Sequence, residues 1–136
     1  MNTRQTGVTL MELMVVMVII GILTAIAYPS YREQVRRSNR TEAKIALQQR
    51  AQAFEKCFTR YMDYTNAACD GAATAANTPD GNYNVTVPAA TLTATTFVIL
   101  ATPLGGQLSD AKCMNFTINE AGTRGRTGTA PIENCW

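Results

Sequence analysis

The sequence contains no histidine, and that absence excludes more than any residue present. Without imidazole there is no Ser–His or Cys–His nucleophile, no H-E-x-x-H zinc helix and no Cys₂His₂ site. The four cysteines, Cys57, Cys69, Cys113 and Cys135, form no C-x-x-C pair, which argues against a zinc ribbon or a redox motif. Gly122-Thr123-Arg124-Gly125-Arg126-Thr127-Gly128 is glycine-rich and basic, but no strand-then-helix context surrounds it. It reads as a flexible hairpin rather than a phosphate cradle. Neither sign of charge dominates: 12 Lys and Arg stand against 10 Asp and Glu. Catalysis finds no foothold in this inventory, and the chain is read as a non-enzyme without cofactor or metal.

What the sequence does have is one long apolar run. Gly7 to Tyr28 reads G-V-T-L-M-E-L-M-V-V-M-V-I-I-G-I-L-T-A-I-A-Y. At about 1.5 Å per residue, a helix of roughly twenty such residues crosses a hydrocarbon layer of about 30 Å. Glu12 lies inside this run, where an ionised side chain costs on the order of 2.5–3.5 kcal/mol. No Lys, Arg or His lies within the run, so a partner for Glu12 must come from another helix or from a free amino terminus. A plain membrane anchor leaves Glu12 unexplained. A secretory signal peptide fits less well, because the run is long and Ala25-Ile26-Ala27 passes directly into Tyr28-Pro29 without a small-x-small cleavage site.

The 136 residues suit one domain behind that anchor. Some hundred residues past it make a modest core that benefits from covalent help. An even cysteine count in an exported domain favours two disulfides, with three connectivities open. Sequence proximity favours Cys57–Cys69 and Cys113–Cys135, each worth roughly 3 kcal/mol in the chain-entropy account. Arg32, Arg36, Arg37, Arg40, Lys44, Arg50, Lys56 and Arg60 crowd one segment, against Glu33, Glu42 and Glu55. The positive-inside rule would hold this flank in the cytoplasm. Disulfides require export, and the rule weakens for long translocated domains.

Pro29, which cannot donate to Ala25, is expected to stop or kink the first helix. Ser30 to about Met62 then reads as an amphipathic helix. Its face of Leu47, Ala51, Phe54, Phe58 and Tyr61 should pack on a sheet, with the arginines largely elsewhere. Glu33 and Arg37 form a favourable i,i+4 pair. Asp63 to Asn82 is a polar connection ending in the turn signal Pro79-Asp80-Gly81-Asn82. Strands are expected over Tyr83–Val87, Thr95–Ala101 and Met114–Ile118, with a short one near Thr123 to Thr127. Pro103-Leu104-Gly105-Gly106 and Asn119-Glu120-Ala121-Gly122 separate them. Tight turns at steady spacing argue an antiparallel meander, hence an α+β domain. Trp136 is expected to pack over a disulfide.

A short polar leader ending in Gly7, then Val8-Thr9-Leu10-Met11-Glu12, then an apolar helix with Pro29 just beyond, resembles a type IV prepilin. Further along, Arg37-Ser38-Asn39-Arg40-Thr41-Glu42-Ala43, Asp110-Ala111-Lys112-Cys113, Asn119 to Thr123 and Cys135-Trp136 are similar to the PilE-like minor pilins. The resemblance implies a pilin fold, with a long N-terminal helix packed on a small antiparallel sheet. It divides the chain into a leader (1–7), a transmembrane and filament-core helix (8–29) and a periplasmic globular domain (30–136). It implies that a prepilin peptidase cuts between Gly7 and Val8 and methylates Val8, where the family usually has Phe. It gives Glu12 the terminal amine of a neighbouring subunit as its partner. Gly21 and Pro29 become hinge points of the helix, and Cys113–Cys135 bounds the carboxy-terminal loop.

Three functions are consistent with that resemblance. The first is a structural subunit of the type IV pilus, a minor pilin that takes part in assembly and so supports twitching motility and attachment. It would sit in the inner membrane before assembly and in the extracellular pilus after it. Its partners would be other pilins, the prepilin peptidase and the inner-membrane assembly machinery. The second is a pseudopilin of a type II secretion system; the late cysteine-bounded loop and the Cys135-Trp136 end point away from it. The third is a DNA-uptake pilin with Lys112, Arg124 and Arg126 as phosphate contacts. Three cations without an aromatic platform argue against it, and no nucleic acid is expected as a partner.

Overall fold

The computed structural model describes residues 7–136. The leader, apart from Gly7, therefore lies outside the described residues. One helix, α1, runs unbroken over Leu10–Tyr61. It opens on Thr9, whose hydroxyl accepts a hydrogen bond from the Glu12 backbone N–H at 3.2 Å. Thr9 and Glu12 thus sit in the T-x-x-E spacing of a capping box, with a carboxylate near the positive end of the helix dipole. Pro29 does not stop α1. A proline removes one ladder bond, and the residues on either side hold helical geometry without it. At the far end Met62 takes a left-handed conformation (φ 55°) and donates its N–H to the Phe58 carbonyl at 2.7 Å, closing the helix where glycine is the usual residue.

The chain divides into two units, one ending at Val35 and the other running Arg36–Trp136. In the first, every apolar side chain of the run is exposed, from Leu10 to Ile26. An 18-residue window there has mean hydropathy 2.6. The helix is long and apolar enough to cross a membrane.

In the second unit, strands β1 (Ala76–Asn77), β2 (Tyr83–Thr86), β3 (Val98–Pro103), β4 (Phe116–Asn119) and β5 (Arg124–Arg126) form one antiparallel sheet in sequence order. Register is set by pairs such as Val85 with Ala101, Ile99 with Ile118, and Ile118 with Arg124. The period-two pattern turns Tyr83, Val85, Ile99, Ala101, Phe116 and Ile118 toward the core, where Ala43, Leu47 and Phe54 of α1 meet them. This is the α+β pilin architecture expected from the sequence.

Several details differ from expectation. Asp63 to Asn82 is not a bare loop. It carries a 3₁₀ turn at Ala67–Cys69, started by Asn66 accepting from the Ala68 N–H, then α2 (Asp70–Ala73) and edge strand β1. β3 starts at Val98 rather than Thr95, because Thr93 and Thr96 tie residues 93–96 into a turn. It ends on Pro103, paired with Tyr83. Tyr61 is not a core residue. It is exposed, with Arg60 over its ring, and buried Tyr64 takes the place next to Phe54, Phe58 and Phe97. Arg40, grouped with the solvated arginines, lies on the core face and is 4% exposed.

Candidate functional site

Two regions carry chemistry that packing alone does not explain. The first is the start of α1. Val8, two residues ahead of α1, and Glu12, in its first turn, are both exposed there. The sequence between Arg4 and Arg32 holds no cation, so nothing within this stretch can form an ion pair with Glu12. Gly21 lies mid-helix with open space around it and Pro29 is within the helix. Thr9 is a residue that motif reading passes over; its capping spacing to Glu12 is the signal that marks it.

The second region is the domain wall formed by α1, the β4–β5 hairpin and the tail. Cys113 and Cys135 are bonded, with Cα atoms 5.6 Å apart. This brings the tail along β5: the Trp136 indole N–H donates to the Gly125 carbonyl at 2.9 Å, and its ring meets Phe116 edge-on. Gly128 packs so close to Lys112 that any Cβ would overlap the Lys112 carbonyl. The Arg124 guanidinium lies 5.2 Å over the Trp136 ring. Lys44 of α1 is half-buried beside it; burial first, then the charges of Arg40 and Arg124, push the Lys44 ammonium below its ordinary pKa. Arg126 is turned inward and donates to the Gly128 carbonyl. Of the three cations singled out from sequence, Arg124 therefore gains an aromatic neighbour and Lys44 joins it, whereas Arg126 is committed to the backbone. The missing aromatic platform is Trp136, 12 residues away in sequence and brought in by the disulfide.

Beneath this wall α1 is held to two loops by polar contacts. Arg40 donates from Nε and Nη2 to the two carboxylate oxygens of Asp110, each at 2.7 Å. Burial opposes charge on Asp110, but the Arg40 hydrogen bonds and charge win and hold its carboxyl below the ordinary value. Gln107 donates to the Tyr83 hydroxyl at 3.0 Å and to Asp110 at 3.2 Å. Burial, with Asp110 nearby, pushes Tyr83 up to about 12. Glu42 accepts from the Asp80 N–H at 2.7 Å and from the Asn82 amide at 3.0 Å, fixing the β1–β2 turn. At the other end of the domain, Cys57 at the end of α1 is bonded to Cys69, with Cα atoms 5.7 Å apart.

This architecture has solved counterparts. The non-core minor pilin PilV of Neisseria meningitidis matches with TM-score 0.56 and 20% identity, over 72% of this chain and 92% of that one; it establishes the fold alone. A type IV pilin from Shewanella oneidensis matches with TM-score 0.53 and 27% identity, over 74% and 97%. In sequence, the type IV major pilin protein PilE1 of Neisseria gonorrhoeae is 34% identical over 96 residues, which are 69% of this chain and 45% of PilE1. The chain thus spans less than half the length of that relative. Residues 2–28 match the prokaryotic N-terminal methylation motif. Residues 29–117 match the family described as type IV minor pilin ComP, DNA uptake sequence receptor. With the fold, the apolar helix and the leader motif in agreement, the chain belongs to this family of type IV minor pilins.

Proposed function

We infer that the protein is a structural subunit of a type IV pilus, a minor pilin anchored in the inner membrane and drawn into the filament. The observation that carries this reading is Glu12: an acid one turn into an exposed apolar helix, with no cation in the sequence from Gln5 to Tyr31. Cleavage between Gly7 and Val8 by a prepilin peptidase creates an α-amine, methylated or not. A neighbouring subunit's amine then answers the Glu12 carboxylate inside the bundle of apolar helices. Gly21 and Pro29 are the points where α1 can loosen during assembly, since glycine is a weak helix former and proline withholds one ladder bond. The globular domain faces outward, its surface fixed by Cys57–Cys69 and Cys113–Cys135. Glu12→Ala should leave the domain folded and reduce recovery of the chain in sheared filaments at least tenfold. Recovery equal to wild type would refute the pairing.

A second reading is favoured by the Lys44–Arg124–Trp136 wall and by the family description, which names a DNA uptake sequence receptor. Here the pilin would also take up DNA, with Arg124, held over the Trp136 ring, and Lys44 on the phosphates. Retardation of duplex DNA by the purified full-length chain in detergent, weakened by salt and by Arg124→Ala, is the expected result. Binding unchanged by either would remove this role.

A further inference from the structure

Arg50 has half of a contact that Arg40 completes. Arg40 gives its Nε and Nη2 edge to the two carboxylate oxygens of Asp110. Further along the same helix, Arg50 is half-buried and bonded through Nη1 alone, to the Thr74 and Val85 carbonyls. Those acceptors are neutral. They fix the guanidinium against the end of α2 and against β2 without cancelling its charge. Among the described residues, Nε and Nη2 of Arg50 have no hydrogen-bond acceptor, and no carboxylate forms an ion pair with it. Burial lowers the Arg50 pKa below its ordinary value, and no neighbouring charge offsets that shift. A cation partly removed from water without a counter-ion carries a desolvation cost that a bound anion would offset.

Arg50 lines a groove of about 310 Å³, which is small among ligand sites, since these run from about 300 to 1,000 Å³. Short apolar side chains form much of its wall: Ala46 and Ala53 of α1, Ala72 of α2 and Val85 of β2. Among the described residues, no acidic side chain lines it. Asn77 of β1 adds an amide. Its carbonyl oxygen accepts from the Asn84 amide at 2.7 Å, which leaves its own N–H₂ as a further donor. Glu42, whose oxygens take the Asp80 N–H and the Asn82 amide near the Pro79 end, lies two turns before Arg50 on α1. That is about 12 Å along the helix, beyond a screening length of about 8 Å at physiological salt.

We propose that this groove binds a small organic monocarboxylate, its two oxygens on the Nε and Nη2 edge of Arg50 and a short branched apolar body among Ala46, Ala53 and Ala72. Charge and shape select the class. One guanidinium balances one negative charge, and its planar two-donor edge matches a carboxylate, as Arg40 shows with Asp110. A doubly charged phosphate would keep one charge unanswered in a half-buried site. The bound acid would link α1 to α2 and the edge strand β1. This inference is independent of the filament and DNA readings.

The test uses the full-length chain, labelled with nitrogen-15, in a neutral detergent, with sodium isovalerate as the probe at constant ionic strength. The Arg50 Nε–H resonance, assigned by its loss in Arg50→Lys, should move downfield and saturate at probe concentrations on the order of millimolar. Isovaleramide, which has the same shape without the charge, should leave it in place. Inorganic phosphate should bind about tenfold more weakly than isovalerate. Gly71 lines the groove and has open space where a Cβ would stand. Gly71→Leu should therefore weaken isovalerate binding about tenfold while the Arg50 resonance of the free chain persists. A shift that never saturates, equal binding of the amide, or unchanged binding by Gly71→Leu overturns the site. Phosphate binding as tightly as isovalerate overturns the assignment to a monocarboxylate.

Discussion

Removing the charge from Arg40 should be the most damaging single change to the domain outside the aromatic core. The Arg40–Asp110 pair is bidentate, both bonds are 2.7 Å, and the side chains are 5% and 1% exposed. Arg40→Met keeps the aliphatic stem but leaves the buried Asp110 carboxylate to the Gln107 amide at 3.2 Å, the Cys113 backbone N–H and the more distant charge of Arg36, with no cation bonded to it. Breaking a buried pair this way costs about 3–5 kcal/mol, against a total stability of roughly 5–15 kcal/mol for a domain. The change therefore consumes a large share of the folding free energy. Arg40→Met combined with Asp110→Leu removes both charges, and such replacements are often neutral or stabilising. The double variant should recover most of what the single loses. Urea unfolding of the full-length chain in mild detergent, followed by circular dichroism, measures both. A loss under about 1 kcal/mol for Arg40→Met, or a double variant no more stable than the single, would show that the pair is not what holds α1 to the Asp110 loop.

Further outcomes follow from the same geometry. Asp110 and Glu42 both titrate below their ordinary values, because Arg40 in the one case and Asn82 and the Asp80 N–H in the other outweigh burial. Their contributions are present above the unfolded carboxylate pKa and lost as pH falls through the lower folded values, so stability should drop on acidification below about pH 4. Tyr64 and Tyr83 are pushed up to about 12, chiefly by burial. Their contribution is present below the unfolded value near 10 and lost as pH rises toward 12. Melting temperature against pH should therefore be flat through neutrality and fall at both ends; a plateau reaching pH 3 would refute the acid limb. Gly128→Ala drives a Cβ into the Lys112 carbonyl and should cost about 1–3 kcal/mol as overpacking, read by the same urea titration; an unchanged midpoint would show the approach is relaxed in solution. Gly7 replaced by a bulky residue should abolish leader removal, seen as an unshifted intact mass.

The parts of this molecule written as periodic patterns are legible in the sequence. The apolar run, the Leu47–Phe54 helical face and the alternation in β2 and β4 each report the face a residue must bury. What is not legible depends on contacts across the chain. Arg40 looks like its exposed neighbours until Asp110, 70 residues later, is folded against it. The Arg124–Trp136 stack depends on the Cys113–Cys135 bond placing the tail along β5, and nothing local in either segment announces it. Tyr64 takes the core place expected of Tyr61 because Met62 ends α1, and a left-handed residue other than glycine leaves no sequence mark. β1 is two residues long and buried on neither side, so its pairing with β2 is what identifies it.

The pairing proposed for Glu12 sets an acid within an apolar helix against an amine that processing exposes on a neighbouring chain. The most direct measurement is the intact mass of the chain recovered from sheared filaments, with sequencing of its first residues. A polypeptide beginning at Val8, its amine free or methylated, is expected there, and it should be lost from the filament fraction when Glu12 becomes Ala. A filament-borne chain that still begins at Met1 would contradict it.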